Sequence, residues 1–312
     1  MSDLPFHPYR ENELPVPGSV RVTALVLTRD EEVNIVRCLR SLRWCAQVVV
    51  VDSGSTDRTV ALAEQEGAVV VHQPWLGFAG QREAALRMDI VQNDWVYFVD
   101  ADEWTSAALA REVESVLTNE HAAYRHRLRL VFLGTWIEHC GWYGGSWVVR
   151  LGRRSEMSFA GGEAVGERAQ VHGTIGVLRH DIVDEDLKGL PAWLRKHVTY
   201  AEVEAARRSA RYEPAGARLR RWARGERAGR SASRSFAKDV AFPTVPARPL
   251  MLFLYMYFLR SGWRHGRAGL MFCLLHAWHE MVVGELTRDS GSEPRKGSGR
   301  HAGRPRETWP TP

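Results

Sequence analysis

Between residues 20 and 118 the chain switches four times between short apolar runs and stretches of helical periodicity. Arg21 to Leu27, Val48 to Val51, Ala68 to Val71 and Trp95 to Val99 are β-branched or aromatic runs without Gly or Pro, the signature of buried strands. After the first strand, Ile35, Cys38, Leu39 and Leu42 fall on one face of a helix. A second helix runs from Thr59 to Glu66 and stops at Gly67. A third opens at Gly77 with Ala84, Ala85 and Met88 on its apolar side. A fourth, capped by Thr105, carries Leu109, Val113, Val116 and Leu117. Alternation of this kind predicts an α/β fold: a Rossmann-like, mostly parallel sheet with right-handed crossovers and helices on both faces.

Two of these strands end in acids. Val48–Val51 closes on Asp52, and Trp95–Val99 closes on Asp100-Ala101-Asp102-Glu103. Ligands of open α/β sheets bind beyond the carboxyl ends of the strands. A pair of acids two residues apart at that edge can share a hard divalent cation, which one or two carboxylates and substrate phosphates commonly hold. Such pairs also occur as plain solvated turns, so the pair needs its context to acquire meaning.

Beyond residue 118 the pattern changes. Tyr124 to Phe132, Trp147 to Leu151 and Gly176 to Leu178 are strand-like, with Trp136, Trp142, Tyr143 and Trp147 in and around glycine-rich loops between them. Aromatics in loops either stack on sugar faces or pack internally. Leu190 to Ala210 reads as a helix with Trp193, His197 and Tyr200 on one face. Ten arginines lie between Arg207 and Arg234, a solvated basic segment or a patch for anionic lipid headgroups. No nucleic-acid module accompanies it, so nucleic acid is not an expected partner. Residues 249–259 are intensely apolar, and after a break at Gly262 to Gly266 a second apolar helix spans Ala268 to Val283. The first would be roughly 15 Å long, too short for a hydrocarbon core of about 30 Å. Interfacial docking on a membrane, internal packing and a dimer contact remain the alternatives for this pair.

The net charge of +5 permits an anionic partner without specifying one. The four cysteines are scattered, without metal-like spacing, and read as reduced thiols of a cytosolic protein. The expected organisation is a loose leader over 1–19, a catalytic domain over 20–185 divided at 118/119, a helical basic and apolar region over 186–285, and a disordered tail over 286–312.

Four motifs occur in order: Thr28-Arg29-Asp30-Glu31-Glu32, Val51-Asp52-Ser53-Gly54-Ser55-Thr56-Asp57, Gly77-Phe78-Ala79-Gly80-Gln81-Arg82 and Asp100-Ala101-Asp102-Glu103. With them the chain resembles family-2 glycosyltransferases of GT-A fold. Phe132-Leu133-Gly134-Thr135-Trp136-Ile137, Gly141-Trp142-Tyr143, Arg150-Leu151, Leu178-Arg179-His180 and Met256-Tyr257-Phe258-Leu259-Arg260 narrow the resemblance to bacterial lipopolysaccharide inner-core β-1,4-glucosyltransferases, over roughly residues 20–285. Departures from that pattern are Asp30 and Glu83 where Asn is usual, Gly166 before Glu167 where His is usual, and Gly152 where Phe is usual.

The resemblance implies an inverting, metal-dependent transfer of a hexose, glucose first, from a nucleotide sugar, a UDP-sugar first, to a lipid-anchored or lipopolysaccharide-core-type glycan. It implies Mg²⁺ or Mn²⁺ on Asp102, with Asp100 on the ribose or metal-bound water and His180 near the diphosphate or metal. Asp52 would meet the uracil or ribose, Thr28 and Asp30 would line the nucleoside pocket, and Gln81 and Arg82 would help hold the donor. Glu167 matches the general base, with Glu163 as runner-up. Trp142 and Arg150 are acceptor-side residues by the same comparison. Together with the basic and apolar C-terminal region, this places the protein in the cytoplasm, peripheral on the inner face of the cytoplasmic membrane. A catalytically inactive nucleotide-sugar or lipid-binding protein of the same fold is the alternative.

Overall fold

The computed structural model describes residues 14–159, 169–210 and 247–292. The chain divides into two compact units between Ala192 and Trp193.

The first unit begins β1 (Val20–Thr28), α1 (Ile35–Ser41), β2 (Cys45–Asp52), α2 (Thr59–Gln65), β3 (Val69–His72), α3 (Gly77–Arg87) and β4 (Trp95–Asp100). It continues with β5 (Glu103–Thr105), α4 (Ala107–Val116), β6 (Ala123–Phe132), β7 (Thr135–Trp136), β8 (Trp147–Arg153), β9 (Met157–Phe159), β10 (Ala169–Val171), β11 (Ile175–Val177) and β12 (Ile182–Asp184). The main sheet runs in the order β3-β2-β1-β4-β8-β6-β12-β5. Its first four strands are parallel. β8 then lies antiparallel to both β4 and β6, and β12 is parallel to β6. This is the expected α/β class, with the parallel half ending at β4.

The central strands are apolar throughout because both their faces are covered. Val22, Ala24 and Val26 of β1 pack with Ile35, Cys38 and Leu39 of α1, Ala63 of α2 and Leu109, Ala110 and Val113 of α4. On the other face Leu25, Val49, Val51, Val96 and Phe98 pack with Ala79, Ala85 and Leu86 of α3. Helices therefore lie on both sides, as expected. Met157 and Phe159 of β9 complete the second layer. Gly152 belongs to that layer: a Cβ there would stand 2.1 Å from Met157 Sδ. A larger side chain here would have to displace the buried Met157 side chain.

Several boundaries move. Thr105 does not cap α4. It is the last residue of β5, an element not expected from the sequence, and its Oγ1 donates to the Ser41 carbonyl at 2.6 Å. The cap is Ser106, whose Oγ accepts from Leu109 N–H at 3.2 Å. β7, β9, β10 and β12 are further short strands not expected from the sequence. All four cysteines are free and buried.

His126 is fully buried in β6, bonded to Tyr97 Oη at 3.2 Å through Nε2 and to the Arg127 carbonyl at 3.3 Å through Nδ1. Burial lowers its pKa to about 4. Below pH 6.5 the unfolded chain takes up a proton that the native imidazole refuses, so stability falls as pH drops from 6.5 toward 4. Over the whole window this amounts to about 3 kcal/mol. Urea unfolding at pH 7 and pH 4.5 should show a smaller acid loss for His126→Gln than for the wild type; equal losses would refute the assignment.

The second unit is helical. It comprises most of α5 (Gly189–Ala210), α6 (Arg248–Leu254), a π-helical turn at Tyr255–Leu259, a tight turn at Gly262–His265 and α7 (Gly266–Ser292). Ala201 and Ala205 of α5 pack on Val283 of α7. Arg208 pairs with Glu280 at 2.6 Å and Glu204 at 2.9 Å, and Arg248 reaches Glu280 at 3.1 Å. Trp193 stacks on His197, as their shared face predicts. The expected break falls at Ser261, which has φ 59°, and at the turn after it. Gly269 lets that turn approach α7: a Cβ would sit 2.1 Å from the Gly262 carbonyl oxygen. α7 runs on to Ser292, past residue 286 where a disordered tail is expected. Most of the leader, most of the arginine-rich segment and the rest of the tail lie outside the described residues.

Candidate active site

The parallel register sets Thr28 and Asp52 side by side, with Asp100 abreast of Leu27, one position away and by alternation on the opposite face of the sheet. The carboxyl ends of β2, β1 and β4 thus present Asp52, Thr28 and Asp100 along one edge. This is the edge at which α/β sheets bind ligands. Thr28 Oγ1 is buried and has no hydrogen-bond partner among the described residues. Such an orphan is uncommon in a folded interior and suits a site completed by a ligand.

The loops beyond these strands are tied together. Asp52 is buried and accepts from Gly54 N–H at 2.9 Å and Ser55 N–H at 3.0 Å, which shapes the turn into α2. Asp30 accepts from Thr56 N–H at 2.7 Å, and its own N–H donates to Ser55 Oγ at 2.9 Å. Its φ of 51° lies in the left-handed region that Asn and Asp tolerate best, so Asp in place of the usual Asn preserves this backbone. Gln81, fully buried, donates to Ser53 Oγ at 2.9 Å and the Gln73 carbonyl at 3.2 Å and accepts from Leu76 N–H at 3.3 Å. Both ends of its amide brace loops. Glu83, the other departure from Asn, accepts from Phe159 N–H at 2.7 Å and joins α3 to β9.

Asp100 sits between two arginines. Arg82 of α3 donates to its Oδ1 at 2.7 Å, and Arg150 of β8 donates to its Oδ2 at 2.7 Å. Arg150 also donates to Glu103 Oε1 at 2.7 Å, while Glu103 Oε2 accepts from Asp100 N–H at 2.9 Å. The acid turn is thus closed on itself and neutralised from both sides. Arg150, expected on the acceptor side, instead reaches into this corner from β8. Asp102 lies at the tip of the turn, half-buried, its carbonyl accepting from Glu185 N–H at 3.0 Å.

His180 is not brought to the acids. Its Nδ1 pairs with Glu112 of α4 at 2.7 Å, and it precedes the Ile182 end of β12, whereas Asp184 at the other end pairs with Glu103. Trp142 is 41% exposed, just before the short turn at Tyr143–Gly145, where its ring can meet a ligand. Glu163 and Glu167 lie outside the described residues.

Sequence reasoning missed a second acidic edge. Lys188 pairs with Glu31 at 2.6 Å, Asn34 donates to Asp186 at 3.0 Å, and Arg37 pairs with Glu185 at 2.7 Å. The signal was present: Ile182-Val183-Asp184-Glu185-Asp186 repeats the apolar-run-then-acid layout of Val51-Asp52 and Val99-Asp100. Glu103 stood in the motif without a role. Burial pushes its pKa up to about 8, opposed by Arg150 and reinforced by the charges of Asp100 and Asp102. Burial, and then the charge of Asp102, raises Glu31 to about 7 against the pull of Lys188.

Among the described residues no group of three or more His, Cys, Asp or Glu is placed to hold a metal alone. The donor set at the turn is oxygen, and Mg²⁺-type ions bind through one or two carboxylates with phosphates and waters supplying the rest. Asp102 fits that role.

Residues 23–137 match the family model described as glycosyl transferase family 2. This segment of the chain is therefore a glycosyl transferase family 2 domain. An uncharacterized glycosyltransferase of Rickettsia bellii is 39% identical over 116 residues, covering 36% of this chain and 39% of its own length. The lipopolysaccharide core biosynthesis glycosyltransferase LpsC of Rhizobium meliloti is 33% identical over 120 residues, covering 36% of this chain and 44% of its own. The chain thus spans about two fifths of the curated relatives it matches. Among solved structures, S. aureus TarS 1-349 aligns over 87% of this chain and 90% of that one, with 15% identity and a TM-score of 0.40.

Proposed function

We propose that the protein is an inverting, metal-dependent hexosyltransferase of cell-envelope biosynthesis, moving glucose from a UDP-sugar to a lipid-anchored, lipopolysaccharide-core-type glycan. The observation that carries this reading is the edge formed by Asp52, Thr28 and Asp100, with an orphaned hydroxyl at its centre and an arginine-clamped acid turn beside it. The family 2 domain supports transfer as the reaction class, and the similarity to LpsC, a lipopolysaccharide core biosynthesis glycosyltransferase, supports the acceptor class.

In this reading Thr28, Asp30 and Asp52 receive the nucleoside, and Gln81 holds the loops that frame it. Arg82 and Arg150 fix Asp100 so that the turn presents Asp102. Asp102 would hold Mg²⁺ or Mn²⁺, which offsets charge on the leaving diphosphate. Glu167, with Glu163 as runner-up, takes the proton from the acceptor hydroxyl. That oxygen bonds to the anomeric carbon as the bond to the diphosphate oxygen breaks, with inversion.

The second unit suggests how a lipid-anchored acceptor is met. Among the described residues no helix is long and apolar enough to cross a membrane. Leu250, Phe258, Leu259 and Trp263 are exposed, Leu259 at 77%, beside Arg260, Arg264 and Arg267. Apolar side chains flanked by arginine suit the headgroup boundary of an anionic bilayer. The full chain should float with vesicles containing phosphatidylglycerol, and Phe258→Glu/Leu259→Glu should not; equal flotation of both would refute peripheral docking.

The transfer itself is tested by incubating the full chain with a panel of nucleotide sugars, with Mn²⁺ or with EDTA. Metal-dependent release of UDP, stimulated by a truncated core acceptor, is expected. Tight UDP-sugar binding without turnover of any donor would favour the inactive binding-protein reading instead. Glu167→Gln should retain UDP binding and lose transfer; if Glu163→Gln does so in its place, Glu163 is the base.

A further inference from the structure

Along β6 the sequence reads Arg125-His126-Arg127-Leu128-Arg129-Leu130. Alternate residues of a strand share a face, so the three arginines form one row, about 7 Å apart, while His126 turns inward. The aromatics that the sequence reading left divided between sugar stacking and packing cover this row. Arg125 lies over Trp147 at 4.9 Å, Arg127 over Tyr143 at 4.9 Å and Trp147 at 4.8 Å, and Arg129 over Trp136 at 4.2 Å. Asp181 fixes one end, accepting from Arg129 at 3.0 Å and from Tyr143 Oη at 2.8 Å.

The other end is different. Arg125 is exposed, and neither it nor Arg127 pairs with a carboxylate among the described residues. Arg127 Nε is buried and has no hydrogen-bond partner among them. A guanidinium stacked on a ring is held flat and keeps its N–H edge for an anion, and its fork matches carboxylate and phosphate geometry. The location is informative. Trp147 precedes Arg150 by three residues on β8, about 10 Å, and Arg150 holds Asp100. The row lies on the antiparallel half of the sheet, on the strand paired with the one that carries Arg150, away from the strand ends assigned to the nucleoside.

We propose that Arg125 and Arg127, set by Trp147 and Tyr143, bind an anionic group, phosphate or carboxylate, on the acceptor glycan. This rests on the transferase reading and narrows its acceptor to an acidic glycan. Both sources share the chemistry of a compact oxyanion.

The test uses the full chain saturated with UDP and Mg²⁺ and, as probes, core oligosaccharide from deep-rough lipopolysaccharide: intact, dephosphorylated with hydrogen fluoride, or carboxyl-reduced. Calorimetric titration should show binding of the intact probe and at least a tenfold loss with whichever treatment removes the recognised group. Loss on dephosphorylation assigns phosphate, and loss on reduction assigns carboxylate. Arg125→Gln and Arg127→Gln should each bind the intact probe at least fivefold more weakly while keeping UDP affinity. Equal binding of all three probes, no binding of any, or variants that bind as the wild type does would overturn the proposal. Should a variant fail to fold, the wild-type contrast between probes decides alone. Because binding is read without turnover, a chain that transfers nothing but still discriminates by charge upholds the anion site and refutes only the transferase reading.

Discussion

Asp102→Asn is expected to lower transfer at least about a thousandfold, roughly 4 kcal/mol in the barrier, while leaving the protein folded. The substitution keeps the shape of the side chain and removes its charge. A neutral amide is a poor ligand for a hard cation, so the ion that offsets the leaving diphosphate loses its protein anchor. The turn itself does not depend on this carboxylate: the Asp102 carbonyl accepts from Glu185 N–H, and Glu103 closes the turn onto Asp100 N–H. The metal-free variant should be no less stable than the wild type, because the charge of Asp102 is one of the influences that raise Glu31 and Glu103. UDP-sugar affinity in EDTA should be unchanged. Asp100→Asn is the contrasting control, since it weakens contacts to both Arg82 and Arg150 and should reduce stability and transfer together. An Asp102→Asn protein within tenfold of wild-type turnover would remove Asp102 from the metal assignment.

How far the sequence reaches depends on whether the controlling interaction is local. β1, β2 and β4 are legible because their apolar runs are unbroken and buried on both faces, and their terminal acids mark the binding edge without any tertiary knowledge. Gln81 is legible as important but not as to role: only the fold shows that Ser53 and Gln73 occupy its amide. Arg150 is the converse. Its motif could be recognised, yet its direction is set by β8 running antiparallel between β4 and β6, and nothing in Val149-Arg150-Leu151 encodes that pairing. β5 and β12 are three residues each, too short for periodicity to speak, and they pair with each other across nearly 80 residues of chain. The resemblance put His180 near the diphosphate or metal, whereas the fold sets its imidazole on Glu112 of α4, a pairing 68 residues apart that no local pattern encodes.

The largest stability effect should come from Arg150→Met, and its size should depend on pH. Arg150 and Glu103 are 8% and 2% exposed, and one guanidinium nitrogen bridges Glu103 and Asp100. Removing one partner of a buried pair costs about 3–5 kcal/mol because the other charge stays behind. Glu103 has an escape, since it can take up a proton. Burial already holds its pKa near 8, and Arg150 is the main influence opposing that rise. Without Arg150 the native pKa climbs further. A carboxyl raised in the native state is stabilising while protonated, below the unfolded pKa of about 4.5, and loses that contribution as pH rises toward the native value. The cost of Arg150→Met, which includes the lost contact to Asp100 at either pH, should therefore be smaller at pH 5 and approach about 3–5 kcal/mol by pH 8.5, read from urea midpoints at the two values. Adding Glu103→Gln removes the stranded charge, keeps an acceptor for Asp100 N–H, and should restore most of the loss at pH 8.5. If Arg150 instead served mainly as an acceptor contact, its replacement would raise the acceptor KM without a pH-dependent loss of stability, and Glu103→Gln would rescue nothing.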